Sequence, residues 1–345
     1  MSDRLRVALA GLQHAHIEMV LEEIAVRGEG VELVAIAEPE PAVRERFRSR
    51  LSVPAYADHR QMLERERPGA VAVAAINVER GPIIVDALRA GAHVVADKPM
   101  CTTLDHLAAI ERAAREHGRI VHCLLEKRLW AETLAMDEVL AAGELGDLVL
   151  AWASAPHRLR RGRRPEWMLD RETYGGVLND LAIHDIDLLL HFSGAASGWV
   201  QGWSGNRANT DRPGFEDHGA VLLRTDTGLV ATAEVHWLSP EAAPYHGDYR
   251  VVLTGTRGTA ELRYASGGVT VATHERPPRE LELPAAYPAA RDFFDAVLDG
   301  KDPRITASQV LTATRVALTA QAHANQGTWQ PWDQSSRSAV STSAR

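Results

Sequence analysis

Asp180 and His184 are a carboxylate and an imidazole four residues apart, and their types and spacing could do chemistry. In a helix, side chains at that spacing stack on one face. The stretch 175–187, GGVLNDLAIHDID, opens on two glycines and then runs with helical apolar periodicity through His191. An imidazole beside a carboxylate at the mouth of a glycine-rich turn can hold a polar substrate and move a proton. Asp187 shares part of that face and reads as a structural partner. The competing reading is a solvated helix face with a satisfied histidine, because structural ion pairs use the same spacing.

A lysine far upstream favours the chemical reading. Asp97-Lys98-Pro99 follows the short apolar run 92–96 (AHVVA), which has strand character. A lysine at the carboxyl end of a parallel strand points to the crevice where such sheets bind ligands. The proline after it disfavours a helical backbone at Lys98. An ammonium there can hydrogen-bond a substrate oxygen and stabilise negative charge growing on it.

The elements that must position Lys98 are strands alternating with helices. Apolar runs at 5–10, 31–37, 70–75, 92–96 and 120–124 read as buried strands, with helical patterns at 14–26, 41–50, 79–90 and 103–117. The alternation predicts an α/β fold, a doubly wound parallel sheet of Rossmann type over residues 1–124. Its first turn reads Gly11-Leu12-Gln13-His14-Ala15-His16. Only the first of the three fingerprint glycines is present, with Gln13 and His16 where the others would fall. The helix N-terminus still offers N–H groups to a pyrophosphate, and the side chains of Gln13 and His14 are expected to substitute for the lost backbone approach. Glu38 ends the second strand, where an acid takes the adenosine ribose hydroxyls and repels a 2′-phosphate, so NAD is expected over NADP. A solvated turn residue is the alternative for Glu38. Asn77, Asp97 and Lys98 complete the expected cofactor contacts.

Residues 125–334 read as a second, α+β domain. A helix at 131–142 and a strand at 148–155 precede a polar, irregular segment, 157–174, which carries Arg158, Arg160, Trp167 and Met168 and is expected to frame the substrate. Strands near 198–204, 218–223, 229–236, 249–253, 259–264 and 269–273, joined by short turns, predict a large, mostly antiparallel sheet with one face on helices. The helical run 307–326 reads as structural, and the Ser/Thr-rich tail 335–345 as disordered. His157, Trp167 and Tyr245 are expected to contact substrate together with Lys98, Asp180 and His184. Trp237 and Tyr245 could stack on a sugar ring or pack the sheet. His157, His218, His236 and His246 have no partner at ligand spacing, so no metal site is expected. Arg128 either binds cofactor or braces the domains. Cys101 reads as a small buried residue, with no histidine placed to activate it.

Composition excludes several classes. The 345-residue chain carries a net charge of −8, which argues against a nucleic-acid partner. The run 158–164, RLRRGRR, is the exception; it reads as a solvated loop, with contact to an anionic substrate, a phosphate or a partner chain as the alternative. Two cysteines make no disulfide framework. No leader pattern and no bilayer-length apolar run is present, so a cytoplasmic protein without a membrane partner is expected.

Taken together, these pieces resemble the Gfo/Idh/MocA family of NAD(P)-dependent oxidoreductases. Asp97-Lys98-Pro99 matches its Glu-Lys-Pro element, and Gly175-Gly176 with Asp180 and His184 matches its second-domain motif. Further matches are Gly143-Glu144-Leu145-Gly146, the stretch 254–259 (TGTRGT), and Arg291-Asp292-Phe293-Phe294, so that the resemblance covers residues 4–330. Asp97 shortens the usual glutamate, and the loop Ala75-Ile76-Asn77-Val78-Glu79-Arg80 keeps Asn77 but lacks the usual Thr-Pro before it and a histidine after it. The resemblance implies a sugar, cyclitol or polyol substrate. It implies His184 as general base, Lys98 on the same oxygen, and Asp180 on a neighbouring hydroxyl. It also implies a homodimer or homotetramer formed through the second sheet. Alternatives on the same fold are an NAD-assisted glycosidase and a non-catalytic ligand sensor; a metal-dependent hydrolase is a more distant one.

Overall fold

The computed structural model describes residues 4–334, and the chain divides into two compact units. The first runs to Leu124 and takes in Pro288–Leu311, and the second comprises Leu125–Tyr287 and residues 312–334. No helix among the described residues is long and apolar enough to cross a membrane.

In the first unit β1 (Leu5–Leu12), α1 (Ile17–Arg27), β2 (Val31–Ala37), α2 (Pro41–Leu51), β3 (Ala55–Tyr56), α3 (His59–Glu66), β4 (Ala70–Ala74), α4 (Asn77–Arg89), β5 (His93–Ala96), α5 (Leu104–His117) and β6 (Val121–Cys123) follow one another. The strands form a six-stranded sheet in the order β3-β2-β1-β4-β5-β6, and every pairing is parallel. The apolar runs explain this. Val7–Ala10 and Ala70–Ala74 are buried along their whole length, as strands covered on both faces must be. The strand order reverses at β1, between β2 and β4, the switch point where such sheets bind ligands.

Three features of this unit differ from the expectation. The helix predicted from residue 14 begins at Ile17, because the amides of Gln13 and His14 both turn back to the carbonyl of Ala74, at 3.2 and 3.1 Å. β3 and α3 gave no periodic signal: the strand has two residues, and α3 buries only Met62 and Leu63. Last, Pro288–Leu311, expected in the second domain, packs with the first unit. It carries the helix α9 (Ala289–Asp299). Within it Asp292 accepts from His122 Nε2 at 3.1 Å, and Asp295 pairs with Arg27 of α1.

The second unit contains α6 (Ala131–Ala141), β7 (Leu148–Pro156), α7 (Arg171–Tyr174), α8 (Ile183–Ser193), β8 (Ser197–Gly205), β9 (His218–Thr225), β10 (Val230–His236), β11 (Arg250–Gly255), β12 (Gly258–Arg263), β13 (Val269–Thr273) and β14 (Arg279–Glu280). After α9 (Ala289–Asp299) come α10 (Ala307–Ala322), which is shorter than predicted, and β15 (Gln330–Asp333). Nine strands form one sheet in the order β14-β13-β12-β11-β7-β10-β9-β8-β15. Only β7 and β10 pair in parallel, in a single continuous register from Val230↔Leu150 to His236↔Pro156. In β9 and β10 every second residue is buried, Ala231, Ala233 and Val235 among them, the period-2 signature of a sheet covered on one face. The predicted tail 335–345 lies outside the described residues.

Candidate active site

Asp97 is the hub of the first unit's crevice. It sits just past β5 and is 1% exposed. Its Oδ1 accepts from the Lys98 amide at 2.7 Å and pairs with His16 Nδ1 at 2.7 Å. Its Oδ2 pairs with Arg80 Nη2 at 2.8 Å and with His14 Nδ1 at 2.7 Å. Burial pushes the Asp97 carboxyl up, but the charges of Arg80, His14 and His16 outweigh it and hold the group well below the usual carboxylate range. His14 is driven the other way: burial lowers its pKa more than Asp97 raises it.

Arg80, on α4, is fully buried and was not singled out from the sequence. Besides Asp97 it donates to the carbonyls of Ala75 at 2.7 Å, Lys98 at 2.6 Å and Pro99 at 3.1 Å. Its guanidinium fork therefore ties the end of β4 to the Lys98-Pro99 segment. Lys98 is held by its backbone on both sides, the amide by Asp97 and the carbonyl by Arg80. The shortened acid at position 97 is compensated, because two histidines and an arginine reach it. His14, His16 and Asp97 also present ligand atoms within 4.8 Å of one another, a grouping that their separation in sequence hides from any spacing argument. Here Arg80 already supplies the positive charge that a cation would bring.

The other expected cofactor residues lie at the same end of the sheet. Gly11 has φ +73°, and a Cβ there would fall 2.3 Å from Ala75 Cα, so only glycine fits. Glu38 is fully buried, and its carboxylate accepts from the Leu12 amide (2.7 Å), Gln13 Nε2 (3.1 Å) and the Glu40 amide (3.0 Å). Gln13 thus supports Glu38 in this structure. Asn77 is buried and starts α4. Cys101 is fully buried, and burial pushes its thiol up to about 12, which suits an inert packing residue.

In the second unit the Gly175-Gly176 turn does structural work. Gly175, at φ +88°, caps α7, and Gly176, at φ +105°, sits where a Cβ would meet the Gln321 side chain at 2.3 Å. Gln321 Oε1 then accepts the amides of Leu178 (2.8 Å) and Asn179 (3.3 Å), and Glu216 accepts that of Val177 (2.9 Å). These distant side chains satisfy the free N–H groups that begin the helix. The expected continuous α-helix is replaced by a π-helical turn, Leu178–Ala182, running into α8. Such turns gather at functional sites, and this one carries Asp180.

Asp180 and His184 are 2% and 4% exposed. Asp180 Oδ2 accepts from the Tyr174 phenol at 2.7 Å, and the Trp237 indole donates to that phenol oxygen at 3.2 Å. Burial, and then Asp180, hold the Tyr174 pKa well above its ordinary value, so it remains a donor. His184 Nε2 stands 3.6 Å from Glu126 Oε1. Next to it in sequence, Asp185 is paired with Lys127 at 2.8 Å, and the Lys127 ammonium lies 4.5 Å over the Tyr249 ring. Arg128 pairs with Asp187 at 2.5 and 3.0 Å, so it braces α8.

His157 packs its ring on Trp237, His246 and Tyr249, with centroids 4.9 to 5.2 Å away. Trp167 hydrogen-bonds through its carbonyl to Thr173 Oγ1 at 2.6 Å. Tyr245 is 41% exposed and shows no ring contact among the described residues. The aromatic groups bonded to Asp180 or packed in sequence behind it are Tyr174, Trp237, His157 and Tyr249. Tyr174 was missed because a lone tyrosine before a glycine pair carries no periodic or motif signal.

A family model described as an oxidoreductase family with an NAD-binding Rossmann fold matches residues 5–124, and the GFO/IDH/MocA C-terminal domain model matches residues 133–261. The chain is 22% identical over 323 residues to scyllo-inositol 2-dehydrogenase (NAD(+)) of Bacillus subtilis, covering 89% of this chain and 90% of that protein. It is 31% identical over 209 residues to dTDP-3,4-didehydro-2,6-dideoxy-alpha-D-glucose 3-reductase of Saccharopolyspora spinosa, covering 58% and 59% of the two. Among solved structures, a protein from Erwinia carotovora atroseptica superposes with a TM-score of 0.86 at 28% identity, over 93% of this chain and 99% of that one. The two models together match most of the chain, and the protein belongs to the Gfo/Idh/MocA family of oxidoreductases, with an NAD-binding Rossmann domain at its N-terminal end.

Proposed function

We propose that the protein oxidises or reduces a carbinol carbon of a sugar, cyclitol or related polyol, using NAD. The observation that carries this reading is the backbone clamp on Lys98, made by two buried groups, Asp97 and Arg80. The names of the relatives, an inositol dehydrogenase and a deoxysugar reductase, support the substrate class.

The first unit's residues fit a dinucleotide. Gly11 opens the turn at the switch point, Asn77, Asp97 and Lys98 stand at strand ends in the same sheet, and Gln13 and His14 line the turn. Glu38 would meet the adenosine ribose, and an acid at that position disfavours a second phosphate, so NAD is preferred over NADP. When bound, the nicotinamide supplies the two-electron acceptor or donor for the carbinol carbon.

The chain's own groups do the rest. His184 takes the proton of the reacting hydroxyl, and Lys98 hydrogen-bonds the same oxygen and stabilises its growing charge. Asp180, oriented by Tyr174, accepts from a neighbouring hydroxyl. Trp167 and His157 bound the same substrate. Tyr245, being exposed, is given at most a place at its rim.

A polyol screen with NAD and NADP, read by the absorbance of the reduced dinucleotide, tests this. Net reduction with NAD and at least one polyol is expected. Glycoside cleavage without net reduction would instead favour an NAD-assisted glycosidase, and ligand binding without turnover a sensor.

A homodimer or homotetramer through the nine-stranded sheet is part of the same proposal. Leu150, Val230, Arg224 and Trp199 are cross-strand neighbours on one face. Leu150 is 53% exposed, Trp199 48% and Val230 38%, an apolar row of the kind that marks an interface. Light scattering of the native chain is expected to give a dimer or tetramer mass, and a monomer would reject it.

A further inference from the structure

We infer that the substrate carries an oxyanion, a carboxylate or a phosphate ester, and that Arg164 binds it. This rests on the polyol-oxidoreductase reading above and narrows its substrate to an anionic carbohydrate.

The run 158–164 holds five arginines in seven residues and no acid, and the structure sorts them. Arg161 leaves the loop to pair with Asp211. Arg158 Nη1 donates to the carbonyls of Glu241 at 3.2 Å and Ala243 at 2.9 Å. Arg160 and Arg163 are exposed. Arg158 and Arg164 are both part-buried, and the Arg164 guanidinium carbon lies 4.1 Å from the centroid of the Trp237 ring. That indole is 5% exposed, and its N–H donates to the Tyr174 phenol that holds Asp180. Arg164 therefore stacks on the aromatic ring that anchors the substrate-handling carboxylate, and all four residues belong to the second unit.

Its donors are incompletely used. Nε donates to the Leu159 carbonyl at 2.7 Å, while the remaining contacts are long: Nη2 to the Arg158 carbonyl at 3.4 Å and Nη1 to the Met168 sulfur at 3.5 Å. Among the described residues no carboxylate forms an ion pair with it. A guanidinium has five N–H groups in a planar fork, so a pair of them can take an oxyanion side by side. Arginine does not shed its charge, and a part-buried cation without a bonded counterion is costly unless an anionic ligand supplies one. Burial lowers the pKa of this group, with Tyr174 and Asp180 acting against that. If Arg164 only braced its loop through Leu159 and Arg158, substrate charge would not matter to it.

The test uses the full-length enzyme and substrate pairs that differ in charge: D-glucuronate against D-glucuronamide, and D-glucose 6-phosphate against D-glucose. Thermal shift with NAD alone comes first; if NAD gives no shift, the oxidoreductase reading itself fails. With NAD bound, the charged member of at least one pair is expected to bind roughly 10- to 100-fold tighter, or to show kcat/KM higher by that factor. Which pair responds separates a carboxylate from a phosphate. Arg164→Gln should bring that pair to near parity, through KM more than kcat. An NAD shift without preference for the charged member of any pair overturns the inference and leaves the oxidoreductase reading standing, as does a charge preference unchanged in a folded Arg164→Gln. Should that variant fail to fold, the wild-type pairs alone decide.

Discussion

The phenol of Tyr174 donates to Oδ2 of Asp180 across 2.7 Å, where both residues are at most 2% exposed. With Trp237 donating to the phenol oxygen, the chain of donors runs one way and fixes which carboxylate oxygen stays turned from the phenol. Tyr174→Phe removes one charge-assisted bond and leaves the indole N–H without its acceptor. It is expected to lower unfolding free energy by about 1–3 kcal/mol, and to lower kcat/KM roughly 10-fold with unchanged dinucleotide affinity. Urea melts and steady-state kinetics check the two effects separately.

Arg80 and Asp97 make a fully buried ion pair. Replacing Arg80 by Met leaves the buried carboxylate with two histidines and the Lys98 amide but no arginine, and this should cost about 3–5 kcal/mol. The Asp97 pKa is depressed in the fold, so its contribution is complete above the usual carboxylate range and lost only as pH falls through the lower folded value. In acid melts the stability lost at the lowest pH is expected to be smaller in Arg80→Met than in the wild type.

His93 predicts a second acid transition at milder pH. Its Nδ1 accepts the Ile120 amide at 3.0 Å, and the Arg119 guanidinium lies 3.3 Å from Nε2. Burial and then Arg119 lower its pKa to about 4. A depressed histidine favours the neutral folded form, so stability is complete above pH ~6.5 and falls as pH drops toward ~4, by roughly 2 kcal/mol after allowance for partial exposure. His93→Asn should flatten the pH dependence in that window, measured by thermal melts across it.

Much of the fold was legible because burial writes itself into the chain as period. Strand β4 is apolar throughout and β1 and β5 are so beyond Arg6 and His93, β9 and β10 alternate in burial, and Gly175-Gly176 marks a turn that only glycine can make. What escaped depends on long-range contacts. Arg80 looks like a surface helix residue until Asp97 is placed against it. Gln321 caps a helix start some 140 positions away. The return of Pro288–Leu311 to the first unit rests on pairings such as Arg27 with Asp295. The candidate site was legible at Lys98, Asp180 and His184 through motif and spacing. It was not legible at Tyr174, the last residue of α7, and Trp237, expected to stack on a sugar ring or pack the sheet, instead donates to that phenol from just beyond β10.

Single-turnover rates of Lys98→Met and His184→Asn, with NAD saturating and the best polyol from the screen, test the central claim most directly. His184→Asn is expected to bind NAD within about 3-fold of the wild type, and each variant, at saturating NAD, to lose roughly 100-fold or more in rate, because each lacks one group acting on the reacting oxygen. A rate within about 3-fold of the wild type in either variant would contradict the account.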